Sequence, residues 1–318
     1  MSARKIYKYI FFKILDIFNT DRKYLKLIKY NENLVILNLH RVSNDKNPFY
    51  PSLSPKLFEA LLKYISKEFN VITFREIEKY KNSKKPNMIL SFDDGFYDFL
   101  EYAIPLLKKY DVQANLNVIP QCIESSKPVW DMILGDFLNQ APMELINQIE
   151  LPNFEIKLSK SNKSQYGLAL TRYLKQLSKE EREKLWINID KSINKLDIKF
   201  TKMLSRNEII EISKKHEIGV HSYAHESMAI ESKEYFEEDF FKCKGYFENI
   251  LKLPLDIYAF PSGSYQNYQL DFLQENGIEH ILLVDEEYSN YHTNRHSRFT
   301  YYADSISEVK IRAVGFHR

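Results

Sequence analysis

The sequence predicts an α/β protein of parallel strands joined by crossover helices, and two observations carry that prediction. Short apolar runs alternate with stretches of helical periodicity, and chemically informative polar residues fall directly after those runs, where parallel sheets gather their functional groups. Leu34–Leu39 (LVILNL) reads as a buried strand ending at His40. Ser54-Pro55 opens a helix to about Phe69: serine suits the N-cap, proline suits the first turn, and Leu57, Leu61, Leu62 and Ile65 share a face. Thr73 and Glu76 have the spacing of a capping box for a second, shorter helix. Residues 88–92 (MILSF) form the next strand and run into Asp93-Asp94-Gly95. A helix over residues 96–110, kinked or split by Pro105, leads to a strand at 112–119.

The rhythm breaks between about 120 and 203. This stretch is rich in Lys, Asn, Ser and Glu, with helical patches near 130–139 and 168–196, and it reads as a mostly helical insertion that caps the site without catalytic residues of its own. Alternation then resumes. Ser205 and Glu208 make another capping box, and residues 217–220 form a strand that delivers His221. A long helix covers 232–251, a strand at 256–260 ends at Pro261-Ser262-Gly263, and a helix over 267–276 is closed by Gly277 before a last strand at 281–284. The organisation expected is an N-terminal amphipathic helical segment, 1–30, and one catalytic domain, 31–318, carrying the insertion.

Of the 318 residues, 44% are hydrophobic and 28% charged, as in an ordinary globular protein. The net charge of +2 lacks the basic stripe of a nucleic-acid binder, so no nucleic-acid partner is expected. Cys122 and Cys243 fit neither a metal spacing nor a disulfide framework. In the N-terminal segment, Ile6, Ile10, Ile14 and Ile17 recur at helical spacing among basic residues, and Lys13 and Asp16 interrupt any signal-peptide core. That segment either lies on an anionic membrane surface as a peripheral contact or packs on the domain. The expected location is cytoplasmic, at the inner face of the membrane.

Four polar clusters sit at strand ends: His40, Asp93-Asp94, His221 with His225, and Pro261-Ser262-Gly263. Two adjacent carboxylates repel, and a cation relieves that repulsion; the same pair also suits a surface turn or an acidic phosphoryl-transfer site, although the glycine-rich phosphate cradle is missing. His221 and His225, four residues apart, have the spacing by which two imidazoles meet one metal on a helical turn. His292 and His296 share that spacing, but lie in a polar segment, 289–296, that reads as a loop. Asp94 with His221 and His225 makes a two-histidine, one-carboxylate set with room for water, as hydrolytic metal sites require.

SFDDG, the His-Ser-Tyr-Ala-His segment and AFPSGSY, in this order, resemble the polysaccharide deacetylases of carbohydrate esterase family four. The segment after the first motif, with Pro-Leu-Leu-Lys-Lys-Tyr, is similar as well, and the resemblance spans residues 34–300. It implies a distorted (β/α) barrel of about seven strands, a divalent metal that is commonly zinc, and removal of acetyl groups from the amino sugars of an N-acetylated glycan or glycolipid. By that resemblance Asp93 is the general base, Asp94, His221 and His225 are the metal ligands, and the Ser262 backbone N–H is an oxyanion donor. The family's third motif commonly carries an arginine that orients the base. Ile257, Tyr258 and Ala259 supply none, so Arg298 is the expected substitute from another strand. The acid expected is His40, in a Leu39-His40-Arg41 segment like that of relatives with a permuted strand order; His317 is a poorer choice, and a purely structural His40 stays open. Two other functions stay open too: a silent glycan-binding protein on this scaffold, and an O-acetyl esterase.

Overall fold

Nine strands, all paired in parallel, form one sheet in a computed structural model that describes residues 3–316; His317 lies outside the described residues. The chain enters through α1 (Ala3–Ile17) and α2 (Thr20–Tyr30). Asn19, at φ 48°, breaks what the sequence suggested as one helical segment. Next come β1 (Leu34–Leu39) and α3 (Pro55–Glu68), whose N-cap Ser54 accepts the Leu57 N–H at 3.3 Å. β2 (Asn70–Val71) precedes the Thr73–Glu76 capping box, α4 (Ile77–Tyr80) and β3 (Asn87–Phe92). A π-helical turn at Phe99–Ala103 then leads into α5 (Ile104–Lys109). Pro105 stands where the π-helical turn passes into α5.

After β4 (Asn115–Val118) the insertion contributes α6 (Pro120–Ser125), α7 (Trp130–Gln140), α8 (Met143–Ile146), α9 (Lys163–Lys175) and α10 (Lys179–Ile193). The single helical patch expected over 168–196 is two helices, because a capping box from Ser178 to Glu181 restarts the chain. Phe137, Leu170, Leu174 and Ile189 belong to an apolar cluster of the insertion, separate from the main core. The remaining elements are α11 (Arg206–Ser213), β5 (Glu217–Val220), α12 (Lys233–Tyr246), β6 (Ile257–Ala259), α13 (Asn267–Glu275), β7 (His280–Leu282), β8 (Arg295–His296), β9 (Phe299–Thr300) and α14 (Ile306–Ala313). The segment 289–296 is therefore not all loop: its end pairs with β7.

The strands run in the order β8-β7-β6-β5-β4-β3-β1-β9, with β2 beside β3. β8 and β9 occupy opposite ends of that order, yet only Ser297 and Arg298 separate them in sequence. Three Cα steps reach at most about 11 Å, so the sheet must curl until its two edges nearly meet. This is the distorted barrel, with helices outside and β8, β9 and β2 reduced to two residues each.

The outer face of the strands is apolar, but part of the inner face is polar. Asn38, Ser91, Asn115 and Asn117 are all buried. Ser91 Oγ donates to Asn115 Oδ1 at 2.7 Å, and Asn117 Nδ2 donates to Ser91 Oγ at 3.2 Å. Gly219 in β5 permits this network: a Cβ there would lie 2.3 Å from Asn117 Oδ1 and 2.9 Å from the Ile257 side chain. No helix among the described residues is long and apolar enough to cross a membrane.

Candidate metal centre and active site

β3 ends at Phe92, and the next two residues turn inward, both 1% exposed. Asp93 N–H donates to Leu39 O, continuing the ladder with β1, while Asp94 leaves it with φ 79°. That break sends the two neighbouring carboxylates in different directions.

Asp94 faces the histidines. Its Oδ1 lies 3.6 Å from His221 Nε2 and 3.5 Å from His225 Nε2, and it is buried without a hydrogen-bond partner among the described residues. Its Oδ2 accepts the Tyr50 hydroxyl at 2.8 Å. His221 follows β5 directly, and its Nδ1 lies 2.9 Å from Ala259 O at the end of β6. A carbonyl only accepts, so Nδ1 carries the proton and Nε2 presents its lone pair toward Asp94.

The helical turn expected between the two histidines is not there. Residues 221–226 form an irregular loop, with Ser222 at φ 57° and His225 at φ 61°. The loop is held from several sides. Ser222 Oγ accepts the His225 N–H at 2.8 Å, and Asp239 of α12 accepts the Tyr223 N–H at 2.9 Å. Arg182 of α10 donates to the buried Glu226 at 2.6 Å while its guanidinium lies over the Trp130 ring. Burial pushes His225 down to about 4, against the opposing pull of Asp94, which keeps the ring neutral.

One ligand atom from each of Asp94, His221 and His225 fits within a 4.8 Å group. A tetrahedral site with bonds of about 2.1 Å places its ligand atoms about 3.4 Å apart, close to the spacing between Asp94 Oδ1 and each imidazole nitrogen. The unpartnered Oδ1 and the two inward-facing nitrogens therefore fit a divalent cation by spacing and by donor chemistry.

Asp93 faces the other way. Arg298, fully buried in the two-residue link between β8 and β9, donates from Nη1 to Oδ1 at 2.9 Å and from Nη2 to Oδ2 at 3.0 Å. Asn117 Nδ2 adds a bond to Oδ1 at 2.7 Å. Arg298 is itself held by Leu283 O, Asn38 and Ser91. Burial works to raise the Asp93 pKa, but the Arg298 guanidinium holds it well below the usual carboxylate range.

His40 stands just past β1 and lines a cavity of about 300 Å³ together with Tyr50, Asp131, Lys175, Tyr301 and Tyr302. It stands near both Asp93 and Asp131. Ser262 lies in the short turn after β6, at φ 56°, three residues beyond the carbonyl that orients His221. By contrast, His292 and His296 do not form a site. His292 is exposed, while His296 is buried and contacts Ser289 at 2.9 Å and His280 at 3.1 Å.

Sequence reasoning missed three contributors. Asn117 left a trace: Asn115 and Asn117 alternate along an otherwise apolar strand, the pattern of a polar inner face. Tyr50 comes from an irregular loop and Asp131 from the insertion, where no periodicity marks them. Asp131 is buried, forms an ion pair with Lys175 at 3.1 Å, and belongs to the cavity wall, so the insertion does contribute to the site.

The site is thus a curled parallel barrel with an Asp–His–His cluster and a clamped second aspartate at its strand ends. In comparison with known proteins, a family model described as polysaccharide deacetylase matches residues 167–281, which include His221, His225 and Ser262. Over that stretch the chain is similar to the polysaccharide deacetylases. The poly-beta-1,6-N-acetyl-D-glucosamine N-deacetylase of Staphylococcus aureus is 29% identical over 185 residues, covering 52% of this chain and 64% of that protein. The chain thus spans just under two thirds of the length of the curated relatives it matches. Among solved structures, IcaB from Ammonifex degensii has a TM-score of 0.57 at 16% identity, covering 88% of this chain and 97% of that one. The Streptococcus pyogenes deacetylase PplD in complex with acetate has a TM-score of 0.56 at 16% identity, covering 85% and 92%. At these identities the structural likeness concerns the fold.

Proposed function

We propose that this protein is a metal-dependent hydrolase that removes N-acetyl groups from the amino sugars of a polysaccharide or its glycolipid precursor. The observation that carries the reading is the pairing of Asp93 with Arg298 beside the Asp94–His221–His225 cluster. It places a carboxylate held in its ionised form next to a cluster built for a cation. It also weakens the silent glycan-binding alternative, because a protein that only binds glycan has no use for a clamped base beside a cation cluster.

In this reading Asp94, His221 and His225 hold the cation, with zinc the ion their donor set suits. When bound, the cation supplies a Lewis acid that polarises the acyl oxygen and makes water easier to deprotonate. Asp93 accepts the proton of the attacking water as the new C–O bond forms. The Ser262 N–H donates to the oxygen on which charge develops. His40 protonates the amine as the C–N bond breaks, so acetate and a free amino sugar leave. Arg298 keeps Asp93 ionised and aimed, and Asn117 fixes the same carboxylate from the neighbouring strand β4.

The test is release of acetate from N-acetylglucosamine oligomers by the full chain, before and after chelation. Undiminished activity of the metal-free protein overturns the reading; so does release from O-acetylated but not N-acetylated substrates.

We further infer that α1 rests on a bilayer carrying anionic headgroups. Lys8 reaches Asp304 and Glu308, Asp16 reaches Lys310, and Phe12 is buried, so the helix is docked on the body of the protein. Its isoleucine stripe nevertheless points outward: Ile6, Ile10, Ile14 and Ile17 are 42%, 45%, 46% and 66% exposed. The exposed Lys5 and Lys13 flank that stripe. An apolar stripe rimmed by lysines matches the interior edge and the charge of such a surface. Placement at the inner face of the membrane would favour a lipid-linked substrate over a finished polymer.

A further inference from the structure

The Asp94 carboxylate is divided between two neighbours. Oδ1 faces the two histidines unpartnered, and Oδ2 takes the Tyr50 hydroxyl at 2.8 Å. A carboxylate oxygen only accepts, so the hydroxyl is the donor in this bond. Tyr50 belongs to the irregular connection between β1 and α3, and a residue there keeps a fixed position only if something outside the loop holds it.

The insertion holds it. Asn47, 2% exposed, donates to Asp136 of α7 at 3.3 Å and accepts the Phe49 N–H at 2.9 Å. The Phe49 ring fills the notch left by Gly167 in α9, where a Cβ would stand 2.3 Å from Phe49 Cδ1. Gly135 of α7 packs beside the same residues, and a Cβ there would make only ordinary contact with those of Tyr50 and Phe49, at 3.6 and 3.8 Å. On its other side the Tyr50 ring meets the edge of Phe96, centroids 5.8 Å apart.

We propose that Tyr50, held in place by the helical insertion, is a positioning residue that restricts Asp94 to one metal-binding oxygen and so sets the affinity and the choice of cation at the Asp94–His221–His225 cluster. The inference rests on reading that cluster as a metal site. A hydrogen bond to the outer oxygen of a ligating carboxylate orients it, and removal of such a bond typically costs 10- to 100-fold in affinity. A carboxylate free to bind through both oxygens suits larger ions of higher coordination number, so release of Oδ2 also erodes preference for a small tetrahedral ion.

The experiment titrates zinc and manganese into the metal-free full chain, in competition with a chromophoric chelator. Tyr50→Phe, which removes one oxygen atom, is expected to bind zinc about 10- to 100-fold more weakly. Its zinc-over-manganese ratio should narrow, and the thermal midpoint of the metal-free form should hardly change. Gly167→Ala displaces Phe49 and is expected to weaken zinc binding in the wild-type background but not in Tyr50→Phe, because both act through one hydroxyl. Zinc affinity of Tyr50→Phe equal to wild type overturns the inference, as does an equal effect of Gly167→Ala in both backgrounds. If Tyr50→Phe does not fold, unchanged zinc affinity in Gly167→Ala alone is enough to overturn it. A wild-type chain that takes up neither ion overturns the metal-site reading itself, and this inference with it; the wild-type titration therefore separates the two failures.

Discussion

Arg298 grips Asp93 by both carboxylate oxygens, at 2.9 and 3.0 Å, across 205 residues of sequence. Neither residue is more than 1% exposed, so each neutralises a charge that would otherwise sit in the barrel unpaired. Removal of one partner from such a pair typically costs about 3–5 kcal/mol. Arg298→Ala should therefore lower the thermal midpoint and abolish turnover, and Arg298→Lys should recover charge but not the two-pronged geometry, leaving turnover well below wild type. Full acetate release by Arg298→Ala would show that Asp93 needs no partner.

Asp93 and Asp94 adjoin in sequence but face different partners, and under the proposed mechanism their variants should differ in kind. Asp93→Asn is expected to keep its metal and lose at least about 100-fold in turnover, the lower range for loss of a positioned base. Asp94→Ala and His225→Ala should lose the metal itself. Metal content by atomic emission, measured beside acetate release, separates the two; metal loss in Asp93→Asn would exchange the assignments.

His40 lines the cavity without belonging to the cluster. His40→Ala is expected to reduce turnover by about 100- to 10,000-fold, with KM and metal content little changed. A variant that loses stability but retains turnover per folded molecule would mark His40 as structural.

Acid should destabilise the fold through a pair far from the site. Burial pushes His296 down to about 3 and His280 to about 4. Below pH 6.5 the unfolded chain therefore binds protons that the folded chain refuses, and stability is lost as pH falls toward those values. For His296 the loss between pH 7 and pH 4 is on the order of 3 kcal/mol. Denaturant midpoints should fall across that range, and His296→Gln should show a shallower fall; an identical slope in the variant would remove His296 from the account.

Contact of α1 with a bilayer can be read from sedimentation with vesicles. Ile10→Glu with Ile14→Glu should release the protein from vesicles containing anionic lipid while acetate release from soluble oligomers stays unchanged. Equal sedimentation of wild type and variant would exclude this face.

Much of the fold was legible because parallel strands buried on both sides read as continuous apolar runs, and six of them stood out. The two-residue strands β2, β8 and β9 are too short to leave a pattern. At the site, each residue that ends a long strand was visible, since strand ends are where sequence periodicity stops at a polar group. Arg298 came from the absence of an arginine in the third motif rather than from its own surroundings. Tyr50, Asn117 and Asp131 act through contacts made across long separations, which local spacing does not encode. The loop joining His221 to His225 escaped because an i, i+4 pair says nothing of backbone: Ser222 and His225 adopt left-handed angles that are uncommon for residues other than glycine.

The narrow link between β8 and β9 ties the shape of the barrel to the state of its proposed base. Arg298 occupies that link, so any parting of the two sheet edges would draw the guanidinium away from Asp93 and strand a carboxylate in a low-dielectric interior. Opening the ring and disarming the base are then the same event. A population of half-closed molecules would contain no partly active enzyme, only molecules with a working proton acceptor and molecules without one.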